Sequence, residues 1–213
     1  MKVIKNIINT SIIHEVDKLF PNYSAYIKNT KWNKFKWKNL TLMKDPMSLT
    51  TYIQLFQDIK PKTILEFGTY EGGSALFFYD TLKSLNIKTN IITFDINKKL
   101  YKNIEKEIKF IELDCNYIKE YVLKNLDFLK SLEKPIIIIE DCHVNTYNIA
   151  KYCDLFLKKD DYLIIEDTIG LDKHIILEDF LLDHNEYEIQ RNYCDFWGIN
   201  NSWNCNSYLK KIK

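Results

Sequence analysis

The sequence predicts an α/β fold, a three-layer sandwich in which helices cover both faces of a mostly parallel sheet. Three observations predict it. From residue 46 onward, short apolar runs alternate with amphipathic stretches. Residues 135–140 and 162–166 are nearly unbroken Ile and Leu, as strands buried on both faces require. Three of the five glycines, Gly68, Gly72 and Gly73, lie between an apolar run and a helical stretch. That is the strand–turn–helix opening of a nucleotide-binding βαβ unit.

Along the chain, Ile8, Ile12, Ile13, Val16 and Leu19 recur at helical spacing, and Pro21 ends that helix. Residues 31–38 alternate basic and aromatic side chains. Such interleaving can stack on single-stranded nucleic acid, but an edge or loop segment whose aromatics pack on the core is the favoured reading. Pro46 introduces an amphipathic helix over 48–59, carrying Leu49, Tyr52, Ile53, Leu55 and Phe56, and Lys60-Pro61 stops it. Strands follow at 63–67, 90–95, 108–113, 135–140 and 162–166, with helices between them. Beyond Gly170 a helix around 175–182 leads to residues 187–193. Residues 195–199 and 203–209 then read as an antiparallel closing hairpin, which brings the sheet to seven strands. No repeat, low-complexity tract or linker interrupts the chain. One domain over 1–213 is expected, with 1–45 a helical and aromatic cap segment and 46–213 the core. The cap is expected either over a substrate site or at a contact between copies in a homo-oligomer.

Composition narrows the function classes. The 213 residues are 46% hydrophobic and 28% charged, as in a soluble globular protein. A net charge of +1 gives no global attraction to nucleic acid or acidic membrane. Arg191 is the single arginine, although arginine is the usual choice for bidentate phosphate and guanine contacts. No apolar run approaches the ~20 residues of a membrane span, and residues 1–8 lack a signal-peptide core. The five cysteines are odd in number and form no C-x-x-C pair. A cytoplasmic protein with free thiols, and with no nucleic-acid or membrane partner, is expected.

The chemistry gathers at the strand ends. The glycine spacing is Gly68-x-x-x-Gly72-Gly73 with Glu66 two residues ahead, which differs from the dinucleotide pattern G-x-G-x-x-G. No Gly-Lys-Ser/Thr follows, so a P-loop is excluded. The spacing matches an S-adenosylmethionine (SAM) site, where a carboxylate near the strand end faces the cationic methionine portion. An ordinary βα turn is the alternative. Ligands of parallel sheets lie beyond the carboxyl ends of the strands. There Glu66 closes the 63–67 strand. Asp95 falls ~20 residues past the turn, where an acid holds ribose hydroxyls. Asp114 and Cys115 follow the 108–113 strand, where adenine would sit. Each acid could cap the next helix instead, but three in register with a glycine turn favour a cofactor.

Glu140-Asp141-Cys142-His143 and Glu166-Asp167-Thr168 end the next two strands. Carboxylates crowded this way raise one another's pKa unless a cation lies among them. Hard oxygen donors with few nitrogens suit Mg²⁺, with Ca²⁺ or Mn²⁺ as substitutes. Zinc is disfavoured, because no second Cys or His stands at ligand spacing. Beyond its neighbouring His, nothing activates Cys142 as a nucleophile.

The sequence resembles the cephalosporin hydroxylase/rhamnosyl O-methyltransferase family, which is close to the metal-dependent macrolide-sugar O-methyltransferases. The resemblance runs from Lys44-Asp45-Pro46 to the C-terminus. It is carried by residues 64–75, by Ile138-Ile139-Glu140-Asp141-Cys142-His143, by residues 161–168, and by Asp195-Phe196-Trp197-Gly198 with Trp203-Asn204. It implies a class I methyltransferase (Rossmann-like) fold, with SAM bound through Glu66, Gly68, Thr69, Gly72, Gly73, Ser74, Asp95, Asp114 and Cys115. It also implies a divalent ion, Mg²⁺ first, held by Glu166, Asp167 and an acid before the histidine, with His143 as base. That acid is Asp141 by its Ile-Glu-Asp context, or Glu140 by the family's three-residue spacing to the His. The family's usual Gly before the Asp114 position is Leu113 here. The implied activity is methyl transfer to a hydroxyl of a sugar or glycosylated small molecule. A catechol-type phenol O-methyltransferase and an inactive SAM- or sugar-binding module are the alternatives, and the glycine spacing disfavours a nicotinamide dehydrogenase.

Overall fold

A two-stranded antiparallel hairpin, β1 (Lys36–Trp37) and β2 (Leu40–Thr41), precedes the main sheet in the computed structural model, which describes residues 4–8, 35–98 and 106–213. Trp37 packs edge-on against Phe77 at 5.2 Å, and its indole N–H donates to Asp80 at 2.7 Å. The aromatic of this segment thus packs on the core, as the second reading of residues 31–38 expects. The helix expected through Leu19 and residues 31–34 lie outside the described residues.

Asp45 then starts α1 (Pro46–Ile59). Its carboxylate accepts from the backbone N–H groups of Met47 and Ser48, both at 3.0 Å, and Pro46 takes the first position, where no N–H is required. Lys60, left-handed at φ 50°, ends the helix by donating its N–H to the Phe56 carbonyl, and Pro61 prevents continuation. Tyr52, Leu55 and Phe56 are fully buried, and Tyr52 meets the rings of Phe78 and Tyr208.

The main sheet has seven strands: β3 (Thr63–Phe67), β4 (Asn90–Asp95), β5 (Ile108–Glu112), β6 (Ile136–Glu140), β7 (Tyr162–Ile165), β8 (Tyr187–Ile189) and β9 (Tyr208–Lys211). They lie in the order β5-β4-β3-β6-β7-β9-β8. The first five are parallel, and β9 runs antiparallel to both β7 and β8. Between them run α2 (Gly73–Ser84), α3 (Ile118–Lys124), α4 (Leu126–Ser131), α5 (Thr146–Cys153), α6 (Leu171–Asp183) and α7 (Arg191–Cys194). Every residue of β3, β6 and β7 is buried, so both faces of the sheet centre are covered. Strand order reverses between β3 and β6. In open α/β sheets the crevice at such a reversal holds the ligand.

The closing strands differ from those expected. They are β8 and β9, whereas residues 195–199 form turns and 203–207 a loop. The alternation of side chains there is interrupted by backbone that cannot extend. Gly198, Asn200 and Asn206 have φ of 120°, 49° and 57°. Arg191 fastens the excursion by bonding Asp195, Asn200 and Asn206, and Asp195 accepts the Asn200 N–H at 3.0 Å.

Candidate active site

The turn after β3 is built around two close approaches. Gly68 has φ 105°, and a Cβ there would lie 2.5 Å from the Asp141 carbonyl oxygen. A Cβ on Gly73 would lie 2.1 Å from the Thr41 carbonyl oxygen. Gly68 therefore lets the turn abut the residue after β6, and Gly73 lets α2 start against β2. Glu66 is fully buried and accepts hydrogen bonds from Ser74 Oγ at 2.5 Å and Thr93 Oγ1 at 2.9 Å. Thr69 Oγ1 joins this network through Thr93 at 2.5 Å. Burial pushes the Glu66 carboxyl up to about 7 against the pull of Lys44, Ser74 and Thr93. In this arrangement the Glu66 oxygens are engaged by Ser74 and Thr93, and Glu66 is not among the residues lining the adjoining cavity. Thr69, Gly72, Gly73 and Ser74 shape the turn beside it.

That cavity is about 480 Å³, and among its lining residues are Gly68, Asp95, Asp114 and Cys115. Asp95 accepts backbone N–H groups with both oxygens, Tyr70 at 2.8 Å and Asn97 at 2.9 Å. Asp114 accepts from Asn116 N–H at 2.9 Å, capping a short 3₁₀ turn at Cys115–Tyr117. Both acids therefore organise backbone and border the cavity. Ile96, Leu113 and Val144 add apolar wall, the mixture a nucleoside-sized ligand needs.

Asp141, His143 and Asp167 converge in the lining of this cavity. One donor atom from each lies within 4.8 Å of the others. His143 Nε2 is 3.5 Å from Asp141 Oδ1 and 3.4 Å from Asp167 Oδ2. His143 and Asp167 both have left-handed backbone, at φ 56° and 59°. Such conformations in non-glycine residues cluster at functional sites, where surrounding structure holds them.

Glu166 does not join that group. Its Oε2 accepts from the Lys44 ammonium at 2.6 Å and its Oε1 from the Tyr52 hydroxyl at 2.5 Å. Lys44 also donates to Asp141 Oδ2 at 2.8 Å. Glu140 is fully buried and pairs with Lys173 at 2.9 Å. Between the two acids at this strand end, Asp141 is the one that lines it.

The charges fit this crowding. Burial pushes Glu166 well above the ordinary carboxylate range; Lys44 opposes that, and Asp141 and Asp167 add to it. Asp167 is pushed up to about 6 by burial and then by Asp141, against His143. Burial works to lower the Lys44 pKa, but Asp141, Glu166 and Glu66 outweigh it and hold the ammonium well above its usual value. Contact with Cys115, followed by burial, drives the Cys142 thiol far upward, which disfavours a nucleophilic thiolate.

A second cavity, of about 690 Å³, lies on the other side of His143 and Asp167. It shares these two residues and Trp203 with the first, and Tyr147, Lys173 and Ile176 also border it. Two ligands could therefore meet across one histidine. Sequence reasoning missed Lys44, Tyr52 and this second set. Lys44 carried a signal only as the start of the Lys44-Asp45-Pro46 run.

The profile of the Rhamnosyl O-methyltransferase/CmcI family matches residues 29–212. The rhamnosyl O-methyltransferase of Mycobacterium leprae is 24% identical over 160 residues, covering 73% of this chain and 69% of that protein. Its namesake in Mycobacterium bovis is 24% identical over 161 residues, covering 73% and 65%. The chain thus spans about two thirds of the length of the curated relatives it matches. Among solved structures, apo CmcI superposes with a TM-score of 0.72 at 25% identity, covering 86% of this chain and 78% of that one. CmcI with Mg and SAM gives 0.71 at 25% identity, covering 86% and 79%. The sheet order and the crevice at its reversal point are those of a class I methyltransferase. With the profile matched over most of its length, the chain belongs to the Rhamnosyl O-methyltransferase/CmcI family.

Proposed function

We propose that the chain transfers the methyl group of SAM to a hydroxyl of a sugar or glycosylated small molecule, aided by a divalent cation. SAM-dependent O-methylation is the activity of the family; the acceptor class and the cation are our reading. The observation that carries it is the meeting of two cavities at His143 and Asp167. One has the acids and apolar wall of a nucleoside site. The other has room and polar groups for an acceptor. The names of the curated relatives support a sugar acceptor, and the Mg and SAM bound in a CmcI structure support the cofactors.

The residues fit a hard divalent ion. Hard carboxylate oxygens suit Mg²⁺, and those of Asp141 and Asp167 stand within 4.8 Å of one another. Asp141 and Asp167 would hold it. When bound, the ion supplies Lewis acidity that favours the ionised form of an acceptor hydroxyl. His143, between two carboxylates that stabilise its imidazolium, takes the hydroxyl proton at Nε2. Asp95 and the Gly68 turn orient the donor, and Tyr147 and Trp203 border the acceptor. Holding the two reactants in line supplies much of the acceleration.

The reading is tested by SAH release from SAM with a panel of glycosides and catechols. Turnover with a glycoside, lost on EDTA treatment and restored by Mg²⁺, is expected. His143→Ala should lower turnover by roughly 10²-fold or more without abolishing SAH binding. Methylation of catechols alone, or undiminished turnover in His143→Ala, would contradict it.

A further inference from the structure

We propose that Lys44 is the resident counter-cation of the acid cluster: anchored by Glu166, it competes with the divalent ion for Asp141 and so sets how tightly that ion is held. The inference rests on the metal-assisted reading above and assigns Lys44 as a positioning residue within it.

The geometry is that of a built clamp. The Lys44 side chain is 2% exposed, and its ammonium touches the carboxylates of Glu166 at 2.6 Å and Asp141 at 2.8 Å. Tyr52, with no exposure, occupies the other oxygen of Glu166 at 2.5 Å. The backbone that follows Lys44 is fixed as well. Asp45 is tied to Met47 and Ser48, and it accepts the Trp203 N–H at 3.4 Å. A buried ammonium placed this way cannot trade its partners for water.

Two consequences follow for a cation at Asp141 and Asp167. Lys44 takes Asp141 Oδ2 and leaves Oδ1 on the side of His143 and Asp167, so the clamp aims the ligand. It also neutralises one of the three acids. The cluster then presents less negative charge to an incoming ion, and the ion meets a positive charge behind its ligands. In a medium of low dielectric, one such charge changes affinity by an order of magnitude or more. An ion held loosely in this way can exchange as acceptors enter and leave.

The test is Mn²⁺ binding to the full chain, followed by electron paramagnetic resonance, with SAH calorimetry on every variant as a check of the fold. Lys44→Met should tighten Mn²⁺ by about ten-fold or more, because it removes the competing charge. Lys44→Arg, which keeps the charge, should stay within about three-fold of the parent. Glu166→Gln should weaken Mn²⁺, because the unpaired ammonium falls wholly on Asp141, and the double variant should return toward the parent. A merely structural lysine would instead degrade SAH and Mn²⁺ binding together. The proposal is overturned if Lys44→Met fails to tighten Mn²⁺ while still binding SAH, or if the Lys44→Met and Glu166→Gln effects share a sign. If Lys44→Met does not fold, Lys44→Arg and Glu166→Gln decide: arginine departing widely from the parent, or glutamine leaving affinity unchanged, would overturn it. A parent chain that binds SAH but no Mn²⁺ removes the metal-assisted reading itself, an outcome distinct from these.

Discussion

At the scale of single residues, position relative to the wall decides what an acid does. Glu66 and Asp95 both end strands and both read as cofactor ligands in the sequence. Only Asp95 reaches the cavity. Glu66 is enclosed, with a carboxyl that burial raises to about 7 from an ordinary value near 4.5. The native state therefore keeps a proton that the unfolded chain releases. Stability from this group is full below the unfolded value and is lost as pH rises to about 7, by at most about 3 kcal/mol. Thermal melting of the ligand-free chain should show that decline between pH 5 and 8, and Glu66→Gln should flatten it. Parallel pH profiles for the two chains would refute the assignment. The choice between Glu140 and Asp141 was likewise beyond the sequence. Successive residues leave a strand on opposite faces, and which face holds Lys173 depends on how α6 returns to the sheet.

At the scale of elements, legibility followed burial. The strands Thr63–Phe67 and Asn90–Asp95 were readable to the residue; the first is an apolar run bounded by Pro61 and Gly68, which admits few alternatives. The C-terminal closure was misread. Phe196, Trp197 and Ile199 suggest a strand, yet their backbone is turned by Gly198 and Asn200 and all three are 43–45% exposed. The start of α1 was legible from Pro46, and its cap has a further use, because Asp45 sets the backbone beside Lys44. Asp45→Ala should cost about 1–2 kcal/mol of stability through the lost cap, measurable by urea denaturation. A change within a few tenths would mean that Asp45 does not carry the helix start.

At the scale of the whole molecule, the site is assembled from segments far apart in the chain. The sequence predicted that β3 to β7 would deliver acids to one edge, and the strand order does so. It could not predict that Lys44, 122 residues from Glu166, closes the cluster from behind, because no local pattern encodes a pair at that separation. Nor could it show two cavities sharing His143 and Asp167, since side chains on α5 and α6 define the second one. The central claim is that methyl donor and acceptor meet across that histidine, with a cation site at Asp141 and Asp167 beside it. It is tested most directly by a crystal structure with SAH and Mn²⁺, the ion located by its anomalous signal. The account predicts SAH in the cavity bordered by Gly68, Asp95 and Asp114, with the Mn²⁺ peak between Asp141 and Asp167. SAH elsewhere, or a peak only at the half-buried group of Asp154, His184 and Glu186, would contradict it.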